Sequence, residues 1–414
     1  MGRAPLGPTE LAISLVERAD VSGMEPAVRF IRPRILYVVT EDWYFWSHRL
    51  DLAKAAQAAG FDVVIATHVT DHGDRIRQEG FRLVPLRMDR RSRDPVRECA
   101  SVWELISVYR RERPDVVHHV ALKPILYGSA AAWFAKTPVV INAFAGLGHV
   151  FTSDRVKLLR WGIQYALRAV LSLGQSVVLV QNRDDQKLLV TEGIVPLCRT
   201  RVIAGSGTDL KRFSVQPLPS GCPIVVLPAR MLWEKGIGEF VEAARCLRKK
   251  GIDAQFVLVG RRDEHNPSSI SKRILTQWVN EGVVEWWGHR EDMLAVYKAA
   301  SLVVLPSYRE GLPKVLIEAA ACGKPIVTTD VPGCRDVVRH GINGLLVSVK
   351  DWVSLAEGIE RLLKDPLERQ RMAALGRERA EKEWSVPTIV QQTLSLYKES
   401  LRTRQNGNLP FQFG

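Results

Sequence analysis

Cysteine is scarce in this chain: Cys99, Cys198, Cys222, Cys246, Cys322 and Cys334 are scattered over 414 residues, with no C-x-x-C pair and no metal-ligand spacing. That pattern argues against a disulfide scaffold and reads as reduced thiols in a cytosol. Long apolar runs are missing too. No stretch of about 18 uncharged apolar residues occurs, so no transmembrane helix is expected. Residues 1–30 carry Arg18 and several acids and have no apolar h-region, so no secretory signal is expected. No finger, RNP or helix-turn-helix pattern accompanies the basic residues, and nucleic acid is not an expected partner. No G-x-G-x-x-G follows the first strand, which argues against a dinucleotide oxidoreductase. No Asp-x-Asp stands out, so neither a metal nor another cofactor is expected.

What is present is positive charge and alternation. The formal net charge is +13, which attracts anions such as nucleotide diphosphates or an anionic membrane surface. A hydrophobic content of 46% suffices for two sizeable cores. RILYVVT, FDVVIATHV, PDVVHHV, PVVINAF and SVVLVQN read as buried strands separated by helical segments. After RVIAGSGTDLKRF the chain loosens into SVQPLPSGCP, then resumes with IVVLPAR, QFVLVG, VVEWWG, SLVVLPS, PIVTTD and GLLVSV. Such alternation predicts an α/β fold of two Rossmann-like domains with parallel sheets, and a ligand in the crevice at the strand C-terminal ends. Organised sequence begins near Arg32, so residues 1–30 are expected to be a disordered extension. Residues 405–414 read as a tail.

Chemistry concentrates in Arg309–Pro325, REGLPKVLIEAAACGKP. Gly311 and Pro313 punctuate a turn into an apolar helix from Pro313 to Ala321, whose free N–H groups and positive dipole, with Lys314 beside them, suit a phosphate. Glu310 lies before that helix and Glu318 lies within it, two acceptor-only groups suited to a ligand rich in hydroxyls. By spacing alone the pair reads equally well as a solvated face. A second cluster, LPARMLWEKG, puts Arg230 and Lys235 just after the first strand of the second half, where both can grip a diphosphate. Taken alone it reads as a basic surface loop.

EGLPKVLIEAAACGKPIV resembles the Glu-x7-Glu signature of the retaining glycosyltransferase family 4, whose fold is GT-B. The resemblance runs from about Arg32 to Trp384. It implies catalytic roles for Glu310, Arg230 and Lys235: Glu310 contacts the transferred sugar, and the two cations stabilise the departing diphosphate without a metal ion. It further implies that Glu318 binds ribose hydroxyls, that Gly311, Leu312, Pro313 and Lys314 face the distal phosphate, and that Gly260, Arg261 and His289 line the base pocket. It implies an N-terminal acceptor domain of residues 31–205 plus 388–404, the latter a terminal helix crossing back from Ser385 to Arg402, and a donor domain of residues 206–387.

The first domain departs from the family pattern. Where a Gly-Gly pair is usual, the chain reads EDWYFWSHR, a version resembling a subgroup of bacterial surface-polysaccharide transferases. Trp43, Trp46, Ser47 and His48, with Gly146, become candidates for the acceptor or sugar loop, the aromatics being suited equally to stacking on a sugar and to burial. Phe144-Ala145-Gly146 stands where relatives place a histidine, with His48, His118, His119 and His149 as possible substitutes. On the segment Arg155–Leu173, Lys157, Arg160, Gln164, Arg168 and Ser172 form a polar stripe on an apolar helix. It reads as a core helix with one wet edge or as an interfacial helix, reinforced by Arg82, Arg87, Arg90, Arg91, Arg93 and Arg97.

The expected activity is retaining transfer of a hexose or N-acetylhexosamine from a nucleotide diphosphate sugar, UDP being the expected carrier, to a polyprenyl-diphosphate-linked glycan in cell-envelope polysaccharide assembly. The expected location is cytoplasmic, with peripheral contact at the inner membrane. A GT-B nucleotide-sugar epimerase, which needs no acceptor, and a non-catalytic membrane scaffold, which needs no such cluster of charges, are the rival readings.

Overall fold

The computed structural model describes residues 32–90, 92, 94–147, 157–174, 176–217, 219–264 and 266–405, with backbone only for 157–160 and 405. The N-terminal extension, residues 406–414, Arg91, Arg93, His149 and Arg155 lie outside the described residues, as do the side chains of Lys157 and Arg160.

Among the described residues, thirteen strands form two parallel sheets. The first contains β1 (Arg34–Glu41), β2 (Asp62–His68), β3 (Arg82–Pro85), β4 (Val116–Val120), β5 (Val139–Ala143), β6 (Ser176–Val180) and β7 (Thr200–Val202), in the order β3-β2-β1-β4-β5-β6-β7. The second contains β8 (Ile224–Pro228), β9 (Gln255–Val259), β10 (Glu285–Trp286), β11 (Leu302–Leu305), β12 (Ile326–Thr329) and β13 (Leu345–Val347), in the order β10-β9-β8-β11-β12-β13. Both are α/β sheets with helices on either face. Leu302–Leu305 is buried at every residue, which is why it reads as an unbroken apolar run rather than an alternating one, while Val116–Val120 is equally buried but carries His118 and His119.

Each sheet reverses strand order beside its first strand, between β1 and β4 and between β8 and β11. Those reversals open a crevice at the carboxyl ends, where ligands bind in such folds. Two backbone crossings join the halves. Thr208 N–H donates to Trp384 O at 2.8 Å and Val386 N–H to Thr208 O at 3.1 Å, so the crossings lie side by side. Gly207 (φ +77°) makes this approach possible, because a Cβ there would stand 2.8 Å from Val386 Cα. The proline-rich segment that follows is laid on the second half: Gln216 N–H donates to Cys322 O, and Lys324 Nζ to Pro217 O.

The last helix, Val386–Gln405, starts where Ser385 Oγ accepts from Thr388 N–H at 3.2 Å. It returns to the first sheet and buries Leu396 and Tyr397 among Tyr37, Phe45 and Phe61. Each large apolar side chain buried this way stabilises the fold by roughly 1.5–3 kcal/mol. Tyr397 OH also meets Tyr37 OH at 3.1 Å and His118 Nδ1 at 2.5 Å, satisfying three polar groups in that core.

Candidate active site

The second sheet presents its charged groups from two loops. After β8 the chain runs through Arg230 to Lys235 and turns at Gly236 (φ +71°), where a Cβ would stand 2.2 Å from Pro306 O. Only glycine lets the loop close on the end of β11. Lys235 Nζ then donates to Glu310 Oε1 at 2.5 Å, and Ser307 Oγ donates to the same oxygen at 2.7 Å. Oε2 takes no hydrogen bond among the described residues. Arg230 Nη1 pairs with Asp263 Oδ2 at 3.0 Å, on the loop after β9. The structure thus joins Lys235 to Glu310 and gives Arg230 a different carboxylate.

The helix spans Lys314–Ala321, one residue shorter than expected, because Pro313 is extended (ψ 105°) at its N-cap. Glu318 is buried on it and accepts from Tyr297 OH at 3.1 Å, with Lys314 Nζ at 3.8 Å. Burial pushes its carboxyl above the ordinary range, against the pull of Lys314 and the Tyr297 hydroxyl. Leu312 is buried in the second core. Gly260 (φ +147°) passes so close to Ala229 O that a Cβ would stand 1.8 Å from it, and its N–H donates to Gly288 O. His289 is exposed.

The first sheet answers with rings. The segment read as a loop is a helix, Asp42–His48, followed by a second, Leu50–Ala58. Asp42 explains it: its buried carboxylate accepts from Trp43 N–H (2.8 Å), Thr70 N–H (2.7 Å), Thr70 Oγ1 (2.6 Å) and His72 N–H (2.9 Å). These bonds hold the carboxyl below its usual value despite burial and anchor the helix start to the loop after β2. Phe45 faces the first core, while Trp43 and Trp46 are half-buried. Ser47 Oγ bonds His48 Nδ1 at 2.7 Å, and the His48 ring stacks on Tyr44 at 4.2 Å. Burial, with Lys314 and Arg49 nearby, pushes His48 down to about 3. His118 and His119 are core residues: His118 bonds Tyr397, and His119 bonds Tyr109 OH and Asn142 Oδ1.

Two members of the expected polar stripe meet the same residue. On the helix Lys157–Ser172, Gln164 turns inward and donates to Glu192, and Arg168 reaches Glu192 O, while the outward face shows Trp161 and Tyr165, 76% and 75% exposed. Helical periodicity placed Gln164 and Arg168 on one side but could not say that Glu192 waits there. Arg82 pairs with the buried Glu112, and Arg97 with Asp94. No helix among the described residues is long and apolar enough to cross a membrane.

The halves touch at the candidate residues themselves. Gly146 (φ +106°) abuts Gly311, a Cβ on the former standing 3.0 Å from the Cα of the latter. Lys314 Nζ donates to Ser47 O at 2.7 Å, and the Arg261 guanidinium lies 5.9 Å from the Trp43 ring centroid. Asn182 Nδ2 donates to Gly311 O at 2.6 Å, Arg309 pairs with Asp185, and Arg335 Nη1 lies 3.3 Å from Asp184. Sequence reasoning missed Asn182, Asp184 and Asp185. Their local signal, a polar run opening the helix Arg183–Thr191, marks a cap and does not reveal a distant partner. Among the described residues, no group of three or more His, Cys, Asp or Glu side chains could hold a metal ion. The arrangement suits a bound anion beside the cations and a hydroxyl-rich group between the two carboxylates.

Comparison with known proteins agrees in both halves. The Glycosyl transferase 4-like family matches residues 34–181, and Glycosyl transferases group 1 matches residues 208–379. The N,N'-diacetylbacillosaminyl-diphospho-undecaprenol alpha-1,3-N-acetylgalactosaminyltransferase of Campylobacter jejuni is 29% identical over 371 residues, covering 86% of this chain and 95% of that protein. The capsular polysaccharide biosynthesis glycosyltransferase CapM of Staphylococcus aureus is 24% identical over 318 residues, covering 74% and 82%. Among solved structures, Anabaena Alr3699/HepE in complex with UDP and glucose superposes with a TM-score of 0.71 at 19% identity, over 88% of this chain and 99% of that one, and shares the GT-B fold.

Proposed function

We propose, for a chain that belongs to the 4-like and group 1 glycosyl transferases, that it moves an N-acetylhexosamine or hexose, with retention, from a UDP-sugar to a polyprenyl-diphosphate-linked acceptor in polysaccharide assembly. The observation that carries this reading is the Lys235–Glu310 pair, held by Ser307 at the mouth of the crevice beside Lys314 and a helix N-terminus. In the donor complex, Lys235 and Arg230 take the diphosphate oxygens, Glu318 accepts from the ribose hydroxyls, and Glu310 accepts from the sugar. Charge builds on the diphosphate as the glycosidic bond breaks, and fixed cations stabilise it without a metal. In a front-face displacement the departing phosphate itself accepts the acceptor proton, so no protein base is required.

The acceptor class draws support from the Campylobacter jejuni relative, whose name specifies an undecaprenol-diphosphate substrate. Trp103, Trp133, Phe134, Trp161 and Tyr165 are exposed on helices that share one face of the first sheet, where Arg87, Arg90 and Arg97 add charge. Aromatic rings with basic residues suit peripheral contact with an anionic leaflet. Flotation with anionic vesicles tests this, and a protein that stays at the bottom of the gradient refutes it.

The donor is tested by thermal stabilisation with UDP-, GDP-, ADP- and TDP-sugars on wild type and Glu318→Ala. Stabilisation of wild type alone by UDP-sugars is the expected outcome, while no shift with any donor overturns the site. An α-linked product from an α-linked donor, read by NMR, establishes retention; inversion refutes it.

A further inference from the structure

Glu310 sits on a loop, and a loop carboxylate is only as well aimed as the backbone on either side of it. Both of its neighbours are held by the opposite half of the molecule. Arg309 forms an ion pair with Asp185, which is 1% exposed, and the Gly311 carbonyl accepts from Asn182 Nδ2 at 2.6 Å. Asn182 and Asp185 form one unit: Asn182 Oδ1 caps the helix Arg183–Thr191 by accepting from Asp185 N–H at 2.7 Å, and Asn182 Nδ2 also reaches Asp185 Oδ2 at 3.1 Å. The approach is tight because of glycine. A Cβ on Gly311 would stand 2.8 Å from both Ala145 O and Gln181 Oε1.

We infer that Asn182 and Asp185, from the acceptor half, are positioning residues for the Glu310 carboxylate of the donor half. This rests on the reading of Glu310 as the group that contacts the sugar. Lys235 and Ser307 hold one oxygen of Glu310 from within its own half, where its N–H also donates to Pro332 O at 3.2 Å, and the cross-domain grip holds the Arg309 side chain and the Gly311 carbonyl on either side of it. The carboxylate therefore reaches its working orientation when the halves are together and relaxes when they part. An enzyme built this way binds nucleotide through the donor half alone and commits the sugar only after the acceptor half has docked, which restrains transfer to water. Misplacement by about 1 Å is enough to cost on the order of 100-fold in such chemistry.

The test compares Asp185→Asn, Asn182→Ala and Arg309→Gln with wild type. UDP binding by calorimetry is expected to stay within about twofold. Turnover of UDP-N-acetylgalactosamine with an undecaprenyl-diphosphate N-acetylhexosamine is expected to fall about 10- to 100-fold in kcat, with little change in donor KM. Hydrogen exchange supplies a readout that needs no substrate. Amides of 307–312 are expected to exchange at least about tenfold faster in the variants, while the helix Ile237–Lys249 keeps its protection. Unchanged kcat, or unchanged protection of 307–312, in variants that retain that helix's protection overturns the inference. So does a loss of UDP binding that tracks the loss of turnover. If Glu310→Ala retains full turnover, the reading of the site itself fails; if Glu310→Ala is inactive and all three variants are active, only the positioning role fails.

Discussion

At the end of the second sheet, charges lean on one another: Lys235 on Glu310, Arg230 on Asp263, Lys314 near Glu318. At the end of the first sheet many of the groups are rings and neutral polar atoms already paired among themselves, such as His48 on Tyr44 and Ser47, or His119 between Tyr109 and Asn142, and its carboxylates Asp184 and Asp185 are paired with Arg335 and Arg309 of the other half. The two edges share one topology and differ in what they keep in reserve. Cations and carboxylates that neutralise each other can exchange those partners for a diphosphate and hydroxyls at modest cost, since the charge is already desolvated and aimed. A histidine locked in a core has no such exchange to make. The comparison therefore favours the proposal that donor chemistry lies with the second half and shaping of the acceptor with the first.

The sharpest way to break that contrast is Glu310→Ala or Lys235→Ala. Each is expected to lower kcat by about 100-fold or more with circular dichroism unchanged, because transition-state charge loses a preorganised partner. Normal turnover in both would erase the distinction between the edges.

Glu318→Gln gives a smaller, two-signed effect. Burial raises the Glu318 pKa in the fold, so its ionisation opposes folding increasingly as pH rises above the ordinary carboxylate range. The variant should melt higher than wild type at pH 7 and not at pH 4, while losing stabilisation by UDP-sugars. A lower melting temperature at pH 7 would mean that the carboxylate is stabilising rather than strained.

The first edge is probed by acid. His119 is pushed down to about 4 by burial, so the fold keeps it neutral while the unfolded chain takes a proton below about 6.5. Stability should therefore decline as pH falls from about 6.5 towards about 4, by up to about 1.4 kcal/mol per pH unit for this group. His119→Gln should flatten that slope, measured by denaturant titration at several pH values. An unaltered slope would show the histidine to be charged in the fold.

The smallest expected effect is at Trp43→Ala, which removes the ring beneath Arg261. A contact worth about 0.5–1 kcal/mol predicts a two- to fivefold rise in donor or acceptor KM and no more. A hundredfold loss would move this ring into the chemistry.

Much of this molecule was legible in its residues. The strands were readable because parallel strands covered on both faces are predominantly apolar, as Leu302–Leu305 is throughout. Glu310, Lys314 and Glu318 were readable because a turn, a proline and an apolar helix put them in fixed local relation. The helix Asp42–His48 was not readable: four consecutive aromatics have no helical period, and the cause is Asp42 bonding Thr70 and His72 nearly thirty residues on. The orientation of Gln164 escaped for the same reason, since helical spacing names a face and not its neighbour.

Local chemistry by itself determined the apolar strands with the helices between them, and the turn, proline and apolar helix that carry Glu310, Lys314 and Glu318, because each depends on residues within one or two turns of one another. Tertiary structure alone decided that Lys235 rather than Arg230 meets Glu310, that glycines 146 and 311 lie back to back, and that Asn182 and Asp185 reach across to the loop of Arg309 and Gly311. Those contacts join residues more than seventy positions apart. Their pairing is set by how two rigid sheets dock, which no local propensity encodes.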